Sequence, residues 1–144
     1  MSVGAVYDAN IGSYTSSTAG CTDSTTQADK ITCFTNRGSN LDMLAPGARI
    51  TSTGANTFPV IPPSCAYTGS QTYGFASCSG TSQAAPHVAG AAALLYQAYP
   101  SMTPFAMKNA LKTRGKPILD TATGLTFRRL DVLDDGGRVA RAPA

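Results

Sequence analysis

The residues most suited to chemistry lie in a short segment that ends a polar loop and opens an apolar stretch. Residues 79–90 read Ser-Gly-Thr-Ser-Gln-Ala-Ala-Pro-His-Val-Ala-Gly. Ser82 lies where a helix is expected to begin, and the first N–H groups of a helix have no partner within it. These amides and the positive end of the helix dipole stabilise negative charge. A hydroxyl here is suited to attack a carbonyl carbon, because the free amides can hold the oxyanion that forms.

Ser82 also has an interpretation that involves no chemistry. Serine and threonine are the usual residues at helix N-termini, where the hydroxyl accepts a hydrogen bond from a backbone N–H group. Helix position alone therefore leaves two interpretations open, a nucleophile and a plain cap.

His87 is the single histidine of the chain, and a serine nucleophile needs a general base. His87 follows Ser82 by five residues, which in a helix is a rotation of about 140°. Two side chains so placed lie on different faces. We therefore expect His87 to be a packed, hydrogen-bonded structural residue rather than the base.

Two helices are needed to position this segment, and each has its own sequence signals. Residues 84–99 are rich in Ala and Leu and apolar almost all round, which predicts a buried helix. At most about one turn can precede Pro86, because proline has no N–H group. The second helix has Thr103 as N-cap, Pro104 as its first residue and Gly115 at its end.

The side chains of the second helix divide into two predicted faces. The apolar face is expected to pack in the core: Phe105, Met107, Ala110 and Leu111. The basic residues are expected to form a solvated face: Lys108, Lys112, Arg114 and Lys116.

Short apolar runs predict strands near residues 2–7 and 41–45, and further strands are expected at residues 49–53 and 73–76. Residues 12–40 are polar and rich in turn residues, and residues 54–72 are predicted to be loop because they contain three prolines. Short strands followed by buried helices fit an α/β layer arrangement.

Length and composition exclude several classes of protein. The chain has 144 residues, a net charge of +3 and 42% hydrophobic residues, which fits one soluble globular domain. The mild charge argues against partners such as nucleic acid or a membrane surface, which need a dense basic patch. The longest apolar stretch, residues 88–96, is too short to span a bilayer.

The four cysteines point to disulfides rather than to a metal centre. Cys21, Cys33, Cys65 and Cys78 lack the paired spacing of zinc ligands, and one histidine cannot complete a Cys/His site. Four cysteines allow three pairings, of which we favour Cys21 with Cys33 and Cys65 with Cys78. Free buried thiols are the alternative. Disulfides would place the protein outside the cytosol, as a secreted or otherwise extracytoplasmic protein, although no signal peptide is visible in this chain.

The segment from Gly80 to Gly90 closely resembles the serine motif of the subtilisin-like serine proteases, the subtilases. In that family Gly-Thr-Ser precedes Pro-His-Val-Ala-Gly. The Val-Gly-Ala-Val run at residues 3–6, the Ala-Pro-Gly run at residues 45–47 and the Leu-Asp-Val run at residues 130–132 also resemble the family. The resemblance implies the C-terminal portion of a three-layer α/β catalytic domain, with a mostly parallel sheet, a buried serine helix and loop disulfides.

The resemblance also implies residue roles. Ser82 would be the nucleophile of a serine endopeptidase acting on polypeptides, and its N–H group, with the Thr81 hydroxyl, would stabilise the oxyanion. His87 is structural in this motif. No cofactor is implied for the chemistry. The family often carries calcium, for which Asp42 is a weak candidate ligand, with a turn-capping role as the alternative.

The departures from the family pattern limit what this chain can do. Gln83 stands where methionine is usual. No position matches the family's catalytic Asp, catalytic His or oxyanion Asn. The aspartates at 8, 42, 120 and 131 lack the Asp-Thr-Gly or Asp-Ser-Gly context of the catalytic one. We therefore expect a fragment that is inactive alone, with residues 1–135 belonging to the catalytic domain and residues 136–144 forming a tail.

Two further expectations follow from the fragment interpretation. Its partner would be the missing N-terminal half of the domain, and a free strand edge would favour self-association of the fragment. The alternative is a non-catalytic secreted binding or structural module derived from a subtilase. An α/β-hydrolase elbow is excluded, because Ala84 stands where that motif needs Gly and no histidine follows His87.

Overall fold

The computed structural model describes residues 1–54, 64–69 and 74–133 of an α/β protein. In chain order the elements are β1 (Val3–Val6), β2 (Tyr14–Ser16), β3 (Cys21–Asp23), β4 (Met43–Pro46), β5 (Ile50–Gly54), β6 (Cys65–Gly69), β7 (Gly74–Cys78), α1 (Thr81–Ala98), α2 (Pro104–Arg114), β8 (Lys116–Leu119) and β9 (Thr126–Arg129).

The described strands form three sheets. The main sheet has the order β1-β4-β9-β8, in which β4 pairs in parallel with β1 and β9, and β8 pairs antiparallel with β9. An antiparallel sheet has the order β5-β7-β6, and β2 pairs with β3 in a hairpin. The parallel pairs fit the predicted α/β class.

Part of the predicted loop at residues 54–72 is wrong, because Cys65–Gly69 is a strand paired with β7. The prolines that suggested a loop precede this strand rather than interrupt it. Residues 55–63 and 70–72 of that prediction lie outside the described residues, as do the first residue of the strand predicted at 73–76 and the predicted tail at residues 136–144.

The second helix begins and ends where its sequence signals predicted. The Thr103 hydroxyl accepts a hydrogen bond from the Ala106 amide at 3.2 Å, and Pro104 is the first helical residue. Gly115 follows the last turn. Within the described residues neither helix is long and apolar enough to cross a bilayer.

The core lies between the main sheet and the two helices. Ala5 of β1 and Ala45 of β4 belong to the cluster that includes residues of α1. Their sequence neighbours Val6 and Leu44 belong to a second cluster on the opposite side of the sheet. Side chains in a strand alternate between the two faces of the sheet, so β1 and β4 are buried on both sides.

The prediction that α1 is buried all round is wrong. It is buried along one stripe only: Ala84, Val88, Ala91 and Leu95. The opposite side is exposed, including Tyr96 at 56% and Leu94 at 43%. The described elements bury one face of the helix, and large apolar side chains on its other side are about half exposed in that part of the chain. Phe105 was likewise expected in the core, but it is 74% exposed.

Self-association was expected because the outer edge of β1 was thought to have free backbone groups. Ala5 in β1 and Tyr7 directly after it are instead hydrogen-bonded within the chain. The Thr35 hydroxyl accepts from the Ala5 amide at 2.9 Å, and the Thr32 amide donates to the Ala5 carbonyl at 3.1 Å. Further along, the Tyr7 amide donates to the Lys30 carbonyl at 2.9 Å. Residues 29–35 therefore occupy the positions that a neighbouring strand would use.

Candidate active site

The two residues that precede α1 are fixed from several directions. The Gly80 amide donates to the Gly47 carbonyl at 2.8 Å, directly after the end of β4. The Ser79 amide donates to the Ser64 carbonyl at 2.9 Å, and the Ser79 hydroxyl accepts from the Arg49 amide at 2.8 Å. The start of α1 is thus held against the carboxyl end of a parallel strand, where ligand sites of open α/β sheets occur.

Gly47 allows this close approach because it has no side chain. A Cβ atom there would lie 2.6 Å from the Ala5 Cβ, 2.8 Å from the Gly80 carbonyl oxygen and 3.2 Å from the Ala84 Cβ. Two of these neighbours belong to the start of the serine helix. The sequence analysis noted Gly47 as part of the Ala-Pro-Gly run. That Gly47 lets the start of α1 pack closely against β4 could not be deduced without the fold.

Ser82 is exposed and is the second residue of α1. Its amide lies before the first possible helical hydrogen bond. In the described part of the chain no partner bonds to its hydroxyl or its amide. The helix begins three residues earlier than predicted, and its N-cap, Gly80, has no side chain that could cap the free amides.

Ser82 and His87 line one cavity, which the 140° rotation between them did not lead us to expect. The cavity has a volume of about 480 Å³, and no hydrogen bond joins the two side chains. Instead, His87 Nδ1 lies 2.8 Å from the Gln83 carbonyl oxygen. Thr81, the predicted second oxyanion donor, lines a different cavity, beside residues 36–41.

Two disulfides are present, in the pairing favoured from the sequence. Cys65 is bonded to Cys78 and Cys21 to Cys33, and the described residues contain no free cysteine. Cys65 and Cys78 lie directly opposite each other on β6 and β7. Cys78 also lines the cavity that contains Ser82, so this disulfide is part of the wall of the candidate site.

The other disulfide lies beside a buried polar cluster. The Asp23 carboxylate accepts from the Cys33 amide and the Tyr7 hydroxyl, both at 2.8 Å, and pairs with Lys30 at 2.9 Å. Burial and the hydrogen bond to Asp23 raise the pKa of Tyr7. Burial raises the pKa of Asp23, but the bonds from Lys30, Cys33 and Tyr7 outweigh it and lower the pKa. The cluster connects β1 to the β3 side of the disulfide.

Asp42 is used by cations of the chain itself. Its carboxylate accepts from Lys108 Nζ at 2.9 Å, from Lys112 Nζ at 3.1 Å and from the Ser2 amide at 3.0 Å. Both lysines are partly exposed, as expected for a solvated face, but their ammonium groups are paired with Asp42, which the sequence did not predict. They bind a residue 66 and 70 positions earlier in the chain.

The contacts of Asp42 with the two lysines also affect whether Asp42 could bind calcium. Both oxygens of Asp42 accept bonds from ammonium groups, so a divalent cation would have to displace two positive charges. Asp42 and its neighbours do not fit a calcium ligand set. Within the described residues no group of three His, Cys, Asp or Glu side chains is placed to hold a metal ion.

Replacing Asp42 with asparagine is expected to lower the free energy of unfolding by about 1 kcal/mol at neutral pH, because the lysines are partly exposed and screened. The hydrogen bonds from Lys108, together with the Ser2 amide and Lys112, hold the pKa of Asp42 well below its usual range. The native state is therefore stabilised by ionised Asp42 at neutral pH, and that stabilisation is lost below about pH 4.

Thermal unfolding of the wild-type chain and the Asp42→Asn variant between pH 3 and 7 measures this contribution. The difference in Tm should shrink as the pH falls and as salt is added. Asp8→Asn, at an exposed residue, is the matched control. A difference in Tm that stays constant across this pH range would show that the ion pairs are not its source.

Comparison with known proteins places this geometry in a known class. A solved structure described as a cold adapted subtilisin-like serine proteinase is 31% identical, with a TM-score of 0.55, and the match covers 73% of this chain and 33% of that one. Subtilisin Savinase of Lederbergia lenta is 39% identical over 101 residues, and an extracellular protease of Xanthomonas campestris pv. campestris is 36% identical over 101 residues. These matches cover 70% and 69% of this chain, and 29% and 16% of those proteins.

The fold and the start of α1 thus define a subtilisin-like α/β protein. The family model of the subtilases, peptidase family S8, matches residues 1–128, and the chain belongs to that family. It spans a third or less of the length of the relatives just described.

Proposed function

We propose that this chain carries the nucleophile of a serine endopeptidase, with Ser82 as the attacking residue. The observation that supports this most is the exposed Ser82 as the second residue of α1, at the carboxyl end of β4 and beside a cavity. Membership of the subtilase family supports the reaction class.

The reaction begins with attack of Ser82 Oγ on the carbonyl carbon of a peptide bond. The Oγ proton passes to a general base, and negative charge develops on the carbonyl oxygen. The Ser82 amide, as a free donor at the start of the helix, would donate to that oxygen. The C–N bond then breaks, the amine leaves with the proton, and water hydrolyses the acyl-enzyme. This chemistry requires no cofactor.

The base must come from a segment outside this sequence. His87 is the single histidine, and its Nδ1 is bonded to the Gln83 carbonyl. Without a base a serine hydroxyl is a weak nucleophile. The 144-residue chain by itself is therefore proposed to be inactive and to need the N-terminal half of a subtilase catalytic domain. Two disulfides and a relative named as an extracellular protease support an extracytoplasmic location.

A fluorophosphonate probe, which reacts with activated serines, tests this proposal. We expect no labelling of the 144-residue chain and clear labelling of a longer protein that contains both this chain and the segments encoded upstream. Ser82→Ala should abolish labelling and lower peptide hydrolysis by several orders of magnitude.

The control and the contradictory result are well defined. Ser52→Ala removes an exposed hydroxyl from the same cavity and should leave labelling intact. Labelling of the 144-residue chain at Ser82 would show that it needs no outside base. An upstream sequence without Asp-Thr-Gly and His-Gly segments, together with an unlabelled longer protein, would favour the non-catalytic module instead.

A further inference from the structure

The backbone pairing of β5 with β7 ends just before the segment that leads into α1. Its last pair is Ile50 opposite Cys78. The next two residues, Arg49 and Ser79, are joined through a side chain instead, because the Arg49 amide donates to the Ser79 hydroxyl at 2.8 Å. Ser79 itself is buried, with 9% of its surface exposed. A side-chain hydrogen bond therefore continues the sheet at the residue that precedes the N-cap of α1.

Arg49 has a backbone conformation that residues other than glycine usually avoid. Its φ is 53°, in the left-handed region, where the Cβ atom lies too close to the following carbonyl oxygen. Among the described residues Asp29 is the only other non-glycine residue with a positive φ. Such a conformation persists only where the surrounding structure holds it. The bond from the Arg49 amide to the Ser79 hydroxyl is one contact that does so.

The connection between β4 and β5, residues 47–49, also holds the next residue of the serine segment. The Gly80 amide donates to the Gly47 carbonyl at 2.8 Å. The connection is thus bonded to Ser79 at one end and to Gly80 at the other. A change in the conformation of Arg49 would therefore act on both residues, and through them on the start of α1.

We propose that Ser79 is a positioning residue for Ser82: its hydroxyl holds Arg49 in the left-handed conformation, and the connection fixed in this way sets the position of the Ser82 amide and Oγ. This inference rests on the proposed function, because Ser82 is the proposed nucleophile. Without the hydroxyl, Arg49 would relax out of the left-handed region and residues 79–82 would shift with it. A displacement of about 1 Å can lower a rate about a hundredfold.

Peptide hydrolysis by the longer protein tests this role. Ser79→Ala should lower kcat at least about tenfold and change KM by less than about twofold, because the geometry of attack changes while the contacts that bind the peptide remain. Thr103→Ala is the matched control, since it also removes a hydroxyl that accepts from a backbone amide, at the start of α2. It should lower Tm and leave kcat and KM unchanged. An unchanged kcat in Ser79→Ala would overturn the proposal.

The conformation of Arg49 allows a more specific test. Glycine adopts a positive φ without a steric penalty, so Arg49→Gly should keep the connection in place without the hydroxyl. Adding Ser79→Ala to Arg49→Gly should therefore lower kcat by less than about twofold. Arg49→Ala also removes the guanidinium but keeps the Cβ atom, and adding Ser79→Ala to it should still lower kcat at least about tenfold. Equal losses in these two backgrounds would overturn the proposal.

NMR spectra of the ¹⁵N-labelled 144-residue chain separate this inference from the proposed reaction. Ser79→Ala should shift the amide resonance of Ser82, the same change should shift it much less in the Arg49→Gly background, and Thr103→Ala should not move it. This result would support the positioning role whether or not Ser82 reacts with a fluorophosphonate. Conversely, labelling of Ser82 in the longer protein, together with an unmoved Ser82 resonance and an unchanged kcat in Ser79→Ala, would overturn the positioning role and leave the proposed reaction standing.

Discussion

Replacing Gly47 with alanine should lower the free energy of unfolding by about 2–3 kcal/mol, the upper range for adding atoms to a packed interior. The new Cβ would lie 2.6 Å from the Ala5 Cβ and 2.8 Å from the Gly80 carbonyl oxygen. Neither neighbour can rotate away, because one is a side chain of a single carbon and the other is backbone. For a chain of this size the corresponding fall in Tm is about 5–10 °C.

The same substitution should also displace the segment that contains Ser82. The carbonyl of Gly47 accepts the bond from the Gly80 amide, two residues before Ser82. Separating α1 from β4 to make room for the methyl group therefore moves the start of the helix. In the longer protein we expect Gly47→Ala to reduce fluorophosphonate labelling at Ser82 even at temperatures where the protein stays folded.

Gly38→Ala is the matched control, since a Cβ there meets no atom within 4 Å. It should change Tm by less than about 2 °C, as surface substitutions do. If Gly47→Ala behaved like Gly38→Ala in both Tm and labelling, α1 would not be seated on Gly47 as the structure describes.

Removing either disulfide should destabilise the chain by a similar amount, but only one removal should disturb the site. The two bridges span 13 and 12 residues, so the chain-entropy model gives about 3 kcal/mol for each. Cys78 precedes Ser82 by four residues and lines its cavity, whereas Cys21 and Cys33 are not among the residues lining it. Thermal unfolding of the two double alanine variants measures the shared effect.

Hydrogen exchange of the segment 79–84 measures the specific effect. We expect faster exchange in the Cys65→Ala/Cys78→Ala variant, because the Ser79 amide is bonded to the Ser64 carbonyl next to this bridge. The Cys21→Ala/Cys33→Ala variant should exchange in this segment like the wild type when each protein is measured the same number of degrees below its own Tm. Equal acceleration in both variants would mean that the Cys65–Cys78 bridge stabilises the whole chain and does not fix the site.

Local signals in the sequence predicted the parts of the fold that local chemistry determines. Thr103, Pro104 and Gly115 set the bounds of α2, because a cap, a ring without an N–H group and a missing side chain act on adjacent residues. The disulfide pairing followed neighbours in sequence. Ser82 was placed at the start of a helix by the apolar stretch that follows it.

Long-range contacts could not be predicted from one sequence. The pairing of Asp42 with Lys108 and Lys112 joins residues more than 60 positions apart, and the periodicity of α2 indicates only that the lysines share a face. Strands β8 and β9 were missed because they are short and carry Lys116, Arg128 and Arg129. Lys116 and Arg129 bind the Asp29 carboxylate, whose pKa is raised by burial but lowered on balance by these two partners.

The exposed side of α1 was mispredicted for a different reason. An apolar periodicity shows which residues can be buried, but the covering element must also be present. Ala84 and Val88 are buried in the core cluster that includes the main sheet, whereas Tyr96 is 56% exposed.

The bonds between residues 29–35 and β1 should affect whether the protein aggregates at high concentration. Thr32 and Thr35 make hydrogen bonds with the carbonyl and the amide of Ala5. A strand of another molecule therefore cannot pair with β1 at this residue. At the opposite edge of the sheet, β8 contains Lys116 and Pro117, which disfavour pairing with a strand of another molecule. Because Cys33 anchors the covering segment, reducing conditions during purification should turn a clear solution cloudy before they unfold the protein.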